Sequence, residues 1–475
     1  MAAAVTERRI RSKKRKATEA KKRRVRSRKR KACGGGVVRL PDHVVAEVLV
    51  RLPARSLARL RCACRSWNAE ISSPGFQDRH HALSAAKLAF LPSAPRHTNF
   101  NLTIQSRNGR PRQWLTYCHD CPRTIGSNPC HGLVLLWRLC GDEEHYYSVY
   151  NPTTGDILHL PSPHQPDRAV GIGFHAAARE FKVVAIRIVV QLGELHAIVL
   201  TIGDARGWRR PAASTTSIGF TGDEYDDVRI ERERAVFADG RLHWILTTKY
   251  LDKGPHSIVS FSLADESLCL IPQPPFATAD LVPFDLNAVH FGRLSMNSGV
   301  RSESHEMVSV PVGTTIAELG GRLCMVRDVR HMAAGGGGGL LFEIWKLQDY
   351  ETRSWTLDYR VDLKPAAAGR RRDDDRLTAP WLVMPLMYLD DDAGGGFRPG
   401  EGKKEKRKLL LATTAHEAHV YDPDSGTLRT VASFAGAGDS WEDGSLRVML
   451  YQESLVRFPG LKQGKGEVEF VRLEV

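Results

Sequence analysis

Leu40-Pro41-Asp42-His43-Val44-Val45-Ala46-Glu47-Val48-Leu49-Val50-Arg51-Leu52-Pro53 decides what the first folded part of this 475-residue chain is. Val44, Val45, Val48, Leu49 and Leu52 recur at three- and four-residue steps, which puts them on one stripe of a helix. Asp42 stands where an N-cap belongs. Leu52-Pro53 ends the helix, because a residue before proline is pushed out of the α region. A second helix is expected from near Ser56, with Leu57, Leu60, Cys64, Trp67 and Ile71 on its apolar side. Arg55, Arg59, Arg61 and Arg65 cover the other side. A break near Cys64-Arg65 divides this stretch into two short helices, and Ser72-Ser73-Pro74-Gly75 is expected to stop it. About forty residues with so little apolar mass make a marginal domain, so the helices are expected to finish burying their stripes against a partner.

Upstream the composition changes. Sixteen basic residues lie between Arg8 and Lys31, against Glu7 and Glu19, so this arm carries the whole formal net charge of +14 and the rest is neutral. Residues 1–36 hold almost no large apolar groups and are expected to be disordered. Lys13-Lys14-Arg15-Lys16 and Lys21-Lys22-Arg23-Arg24 are candidates for capture by the acidic groove of a nuclear import carrier. A solvated tail with only phosphate affinity is the alternative. No aromatic side chain is interleaved with these charges, so sequence-specific nucleic-acid binding is not expected. Cys33-Gly34-Gly35-Gly36 ends the arm as a flexible joint.

The nine cysteines are odd in number and lie mostly among apolar neighbours. The N-terminal charge run has no apolar core of a signal peptide, so reduced thiols in the nucleus and cytoplasm are expected. The Asn101-Leu102-Thr103 sequon is then idle. No apolar run approaches the roughly 20 residues that span a bilayer; Val183–Leu200 is interrupted by Arg187, Gln191 and Glu194.

Set out in order, the segment reads Leu40-Pro41-Asp42, Glu47-Val48-Leu49-Val50-Arg51-Leu52-Pro53, Ser56-Leu57-Ala58-Arg59, Cys64-Arg65-Ser66-Trp67, Ile71, Pro74-Gly75-Phe76 and His80. This resembles an F-box at the family's spacing. Ala63, where Val is common, and Val44-Val45, where Leu-Leu is common, are conservative departures. The resemblance implies a small all-α three-helix F-box over residues 37–82. It also implies docking on a Skp-type adaptor and, through it, on a cullin. Carried over position by position, the adaptor-facing residues are Leu40, Pro41, Val48, Leu49, Leu52, Pro53, Leu57, Cys64 and Trp67. The alternative for each is that it only holds the helices together.

Residues 83–475 read as a large all-β domain: short β runs, no long helical stripe, and turns such as Asn151-Pro152-Thr153-Thr154-Gly155, Asp239-Gly240, Asp265-Glu266, Gly320-Gly321 and Asp422-Pro423-Asp424-Ser425-Gly426. Repeated units of three or four strands suggest an irregular β-propeller, with a barrel or sandwich as the alternative. Asn128-Pro129-Cys130-His131-Gly132-Leu133, Tyr150-Asn151-Pro152-Thr153-Thr154-Gly155 and Tyr451-Gln452-Glu453-Ser454-Leu455-Val456 resemble motifs of the kelch-like F-box-associated domains of plants. Residues 333–339 and 394–408 are expected to be disordered inserts, and 365–376 a charged loop.

Cys118-His119-Asp120-Cys121 with Cys130, His131 and Cys140 lacks a second close ligand pair, so zinc is not expected. No nucleophile elbow, phosphate loop or dinucleotide fingerprint occurs. Gly171-Ile172-Gly173 reads as a strand bend, and His243-Trp244 as core of an alternating strand. The F-box resemblance implies a non-catalytic receptor without cofactor, which would carry an unidentified target protein to a ubiquitin ligase of the SCF type. The alternatives are a nuclear nucleic-acid-associated protein, or a scaffold acting outside a ligase.

Overall fold

The computed structural model describes residues 40–90, 100–105, 111–117, 123–125, 127–139, 145–154, 156–161, 163, 169–218, 228–230, 235–248, 257–275, 314–329, 340–362, 383–389, 407–413, 417–433, 448–457 and 470–472. The basic clusters, residues 333–339 and 365–376, and Cys118, Cys121 and Cys140 lie outside the described residues. The chain forms two compact units, Met1–Arg51 and Leu52–Val475.

The first unit contains α1, Asp42–Leu49. Its N-cap is Pro41, with no side-chain cap, and Asp42 is the first helical residue. Asp42 was expected to cap. It serves instead as an acidic group in the first turn, where the helix dipole favours it. Arg51 reaches back four residues to the Glu47 carboxylate at 2.7 Å.

Three more helices open the second unit: α2 (Ala54–Leu60), α3 (Arg65–Ser72) and α4 (Pro74–Leu83). Proline at the first helical position brings the start of α2 forward from Ser56 to Ala54. The break at Cys64-Arg65 is present as expected. Ser72-Ser73-Pro74-Gly75 ends α3 as expected, and it also starts a further helix that was not expected. Ser73 caps α4 by accepting the Phe76 amide at 3.3 Å, and Pro74 occupies the first turn. A Ser-Pro pair stops the preceding helix and is also a good N-terminus for the next one. The helical segment thus has four helices, not three.

The described β strands form six antiparallel sheets. Sheet one holds β1 (Lys87–Phe90), β2 (Phe100–Gln105), β3 (Pro111–Tyr117) and, from the far end of the chain, β25 (Val448–Tyr451). Sheet two holds β4 (Arg123–Ile125), β5 (Val134–Leu139), β6 (His145–Asn151), β7 (Asp156–His159) and β26 (Phe470–Arg472). Sheet three is β8 (Ala169–His175), β9 (Glu180–Val189), β10 (Glu194–Thr201) and β11 (Thr215–Ser217). Sheet four is β12 (Val228–Ile230), β13 (Val236–Ala238), β14 (Arg241–Thr248), β15 (Ser257–Ser262) and β16 (Leu268–Pro272). Sheet five is β17 (Thr314–Leu319), β18 (Arg322–Asp328), β19 (Leu340–Asp349) and β20 (Ser354–Asp362). Sheet six is β21 (Val383–Leu389), β22 (Lys408–Thr413), β23 (Glu417–Asp422) and β24 (Thr427–Ser433).

Strands such as β9, β18 and β22 bury both faces, and the core is a series of layers between consecutive sheets. On β14, Leu242, Trp244 and Leu246 pack toward Val184, Ala197 and Val199 of sheet three. Ile245, on the opposite face, packs with Ile316, Leu323 and Met325 of sheet five. Similar layers join sheets two and three, five and six, and six and one. Two-sided burial explains the near-continuous apolar runs of strands such as Lys182–Ile188. This succession is a β-propeller. Strand β25 closes it by pairing with β1, Leu88 opposite Leu450 and Phe90 opposite Val448.

The predicted Asp239-Gly240 and Gly320-Gly321 turns have positive φ at both residues, the conformation that suits tight hairpins. Gly171 and Gly173 make no bend; the β8–β9 register runs without interruption from Ala169 to His175. Their role is close approach. A Cβ on Gly171 would lie 2.5 Å from the Ala235 Cβ, and one on Gly173 would lie 2.6 Å from Leu263 Cδ1. Sheet three is also pinned to sheet four by ions. Lys182 donates to the Leu263 carbonyl at 2.8 Å and to Glu266 at 2.9 Å. Arg209 forks onto the same carboxylate, which it and Lys182 pull down to about 2.

Candidate docking surface and its mounting

The nine predicted docking residues divide by exposure. On α1 and its approach, Leu40 is 56% exposed and Val48 55% exposed, and Pro41 is exposed with them. Leu49 is buried at 3%. In the second unit Pro53 and Cys64 are exposed, Leu52 and Trp67 are half-buried, and Leu57 is fully buried. Leu49 and Leu57 are therefore interior residues, not surface contacts. A periodic stripe shows which residues share a helix face, but not which end of that face the fold covers.

Among the described residues, only five large apolar side chains are exposed: Leu40, Val48, Leu83, Leu192 and Leu357. Three of them fall in the helical segment.

Helices α2 to α4 do not wait for a partner to complete their core. Ala54, Leu57, Ile71 and Phe76 are all buried. The covering comes from the β domain, and above all from the stretch that follows β25. Glu453, 6% exposed, accepts the Ala54 amide at 2.8 Å. It caps α2 from 399 residues away, and its other oxygen takes Lys87 Nζ. Buried Arg61 donates from Nη2 to the carbonyls of Ile71 and Leu455, both at 3.3 Å. Gln452 donates to the Ser84 carbonyl at 3.2 Å.

The same stretch is held by sheet two. Asn151 donates to the Ser454 and Val456 carbonyls at 3.2 and 2.7 Å, and Thr153 Oγ1 accepts the Ser454 amide at 3.1 Å. Gly132, at φ +74, leaves no room for a Cβ, which would stand 2.5 Å from the Gln452 carbonyl oxygen. The motifs at 128–133 and 150–155 thus seat the terminal segment that carries the helices.

A second junction lies under α4. Arg179, at the β8–β9 turn, forks onto Asp78, with Nη2 to Oδ1 at 2.9 Å. It holds that carboxyl below its ordinary range. Beside it His81 stacks on His131 at 4.7 Å, and the His131 ring lies tilted against Phe174 at 4.4 Å. Burial holds His131 down to about 4, lowers His80 and His81, and pushes His243 to about 3.

These histidines fold neutral, whereas unfolded histidine protonates near pH 6.5. Between about pH 6.5 and 4 the unfolded chain therefore binds more protons, and stability falls as the pH is lowered. His131 alone accounts for roughly 3 kcal/mol across that window. Urea midpoints taken at pH 7.5, 6 and 5 are expected to fall in that order, with a shallower slope for His131→Asn. A flat profile would remove the buried neutral histidines from the account.

Among the described residues, no group of three or more His, Cys, Asp and Glu side chains could hold a metal ion. No described helix is long and apolar enough to cross a membrane.

Comparison with known proteins matches residues 38–78 to the F-box domain and residues 86–296 to the F-box associated beta propeller domain. An F-box protein of Arabidopsis thaliana is 25% identical over 434 residues, 83% of this chain and 88% of the relative. A second Arabidopsis F-box protein is 22% identical over 340 residues, 68% of this chain and 79% of the relative.

Proposed function

The chain is a plant-type F-box protein with an F-box-associated β-propeller domain, and on that premise we propose that it is the substrate receptor of an SCF-type cullin–RING ubiquitin ligase. Leu40, Pro41 and Val48 of the first unit, and Leu52, Pro53, Cys64 and Trp67 of the second, are the positions offered to the Skp-type adaptor. The propeller holds the target protein. The observation that carries the reading is the exposure of Leu40 and Val48 in a segment whose other large apolar groups are mostly covered by the chain itself.

In this role the chain needs no reactive group. Holding a target beside a ubiquitin-loaded enzyme raises the effective concentration of its lysines. The mounting of α2 to α4 on Glu453 and Arg61 suits the task, because ordered hydrogen bonds keep those helices in one orientation on the propeller.

Affinity capture with a Skp-type adaptor and a cullin tests the proposal. Leu40→Glu with Val48→Glu places two charges where apolar contact is required, while both sites are solvent-facing in the free chain. Adaptor affinity is expected to drop about 100-fold or more, with the thermal unfolding midpoint unchanged. A double variant that still brings down adaptor and cullin at the wild-type level would end the reading. Leu49→Ala is a poor probe, because loss of its buried side chain costs about 2–5 kcal/mol of stability on its own.

A further inference from the structure

The described cysteines fall into two classes. Cys130 and Cys324 are buried and Cys269 is half-buried, while Cys62 and Cys64 are exposed two residues apart in the α2–α3 turn. Burial pushes the thiols of Cys130 and Cys324 up, which leaves them inert at neutral pH. Cys64 is the opposite case. It is the N-cap of α3: its Sγ accepts the Trp67 amide at 3.5 Å and lies 3.2 Å from Ser66 Oγ. Both contacts, with the Ser66 hydroxyl the stronger, hold this thiol below its ordinary range. The positive end of the helix dipole acts in the same direction. A solvent-facing sulfur capping a helix, with a second exposed thiol two residues away, has the layout of a reactive dithiol.

We propose that Cys62 and Cys64 form an oxidisable pair whose reaction with hydrogen peroxide weakens adaptor docking; the docking half rests on the ligase reading above. The Cys64 thiolate attacks one peroxide oxygen. An S–O bond forms, the O–O bond breaks, and the departing hydroxide takes up a proton to become water. Sulfur loses two electrons and peroxide gains them. Cys62 then attacks the Cys64 sulfur as thiolate: the S–S bond forms, the S–O bond breaks, and the hydroxyl leaves as water with the proton Cys62 gave up. A dithiol reductant cleaves the S–S bond by thiol–disulfide exchange, which returns both cysteines to thiols and leaves the reductant as its own disulfide.

Docking is affected because the sulfur that caps α3 becomes tied to Cys62 and can no longer carry negative charge. The Trp67 amide loses its acceptor, and the first turn of α3, which bears Trp67, frays. Loss of a cap of this kind corresponds to about a fivefold change in an equilibrium constant.

The test uses the full chain, exposed to hydrogen peroxide and quenched before an untreated Skp-type adaptor is added. Mass spectrometry with dimedone trapping reads the thiols, and titration reads the adaptor affinity. Wild type should yield a 62–64 peptide two hydrogens lighter and an affinity about fivefold lower, both restored by dithiothreitol. Cys62→Ser should accumulate a dimedone adduct on Cys64, and Cys64→Ser should show no adduct in this turn. The proposal is overturned if both thiols stay free while half-buried Cys269 reacts. It is equally overturned if the 62–64 disulfide forms and affinity does not change. Failure of the untreated chain to bind the adaptor would sink the ligase reading and the docking half, while the mass shift still decides the dithiol.

Discussion

Gly171→Ala is expected to destabilise the propeller by about 3 kcal/mol, the upper part of the range for overpacking a closed core. The added methyl would stand 2.5 Å from the Ala235 Cβ and 3.1 Å from both Leu242 Cδ2 and Trp244 Cζ2. None of these can yield cheaply. Ala235, Leu242 and Trp244 are all 0% exposed, and Ala235 is held by backbone as well, its carbonyl accepting the Asn128 amide at 3.3 Å. Denaturant unfolding of the variant measures the cost. Adding Ala235→Gly removes the nearest obstacle and should recover part of the loss, since the contacts with Leu242 and Trp244 remain. Gly171→Ala at wild-type stability would mean that sheets three and four do not approach as closely as the structure has them.

Glu453→Ala carries the second large effect, expected at about 3 kcal/mol. The carboxylate is buried and serves two donors at once. Its loss leaves the Ala54 amide, the first donor of α2, without an acceptor, and strands Lys87 Nζ beside it. Lys87 keeps a third of its side-chain surface in water, which holds the penalty to the low end for a broken buried pair. Location separates this prediction from ordinary destabilisation. Hydrogen exchange at Ala54–Leu57 should rise well beyond that of the sheet-four strands, because the helix loses the cap that joins it to the propeller. Asp78→Asn offers the contrast. Its Arg179 fork is half exposed on both sides, so a change of less than about 1 kcal/mol is expected. Equal exchange in both regions of Glu453→Ala would show that the terminal segment does not carry α2.

Both positions show how far local pattern reaches. The helices at 42–49 and 65–72, the break between the second and third, and the Asp239-Gly240 and Gly320-Gly321 turns were legible, because each is specified within a few residues by periodicity, proline or positive φ. The β runs were legible for the same reason, and repetition identified the propeller. The stop after Ser72 was legible, but the helix that begins at Pro74 was missed, because a proline can both end one helix and begin another. The choice depends on whether the following residues, here Phe76 and His80, find a core to enter. Gly171 was misread because a missing Cβ looks the same in sequence whether the chain bends or a neighbour presses close.

The docking residues divide in the same way. That Val48 and Leu49 share one stripe was in the sequence, written by a period of three and four residues. That Leu40 and Val48 stay in water while Leu49 and Leu57 are covered was not, because coverage depends on what else folds there. Glu453, Arg61 and Leu455 were absent from the predicted site altogether. Their partners lie 394 and 399 residues away, and no local rule pairs an amide at position 54 with a carboxylate at 453. Such a pairing exists only once the propeller has closed and brought the end of the chain back to its beginning.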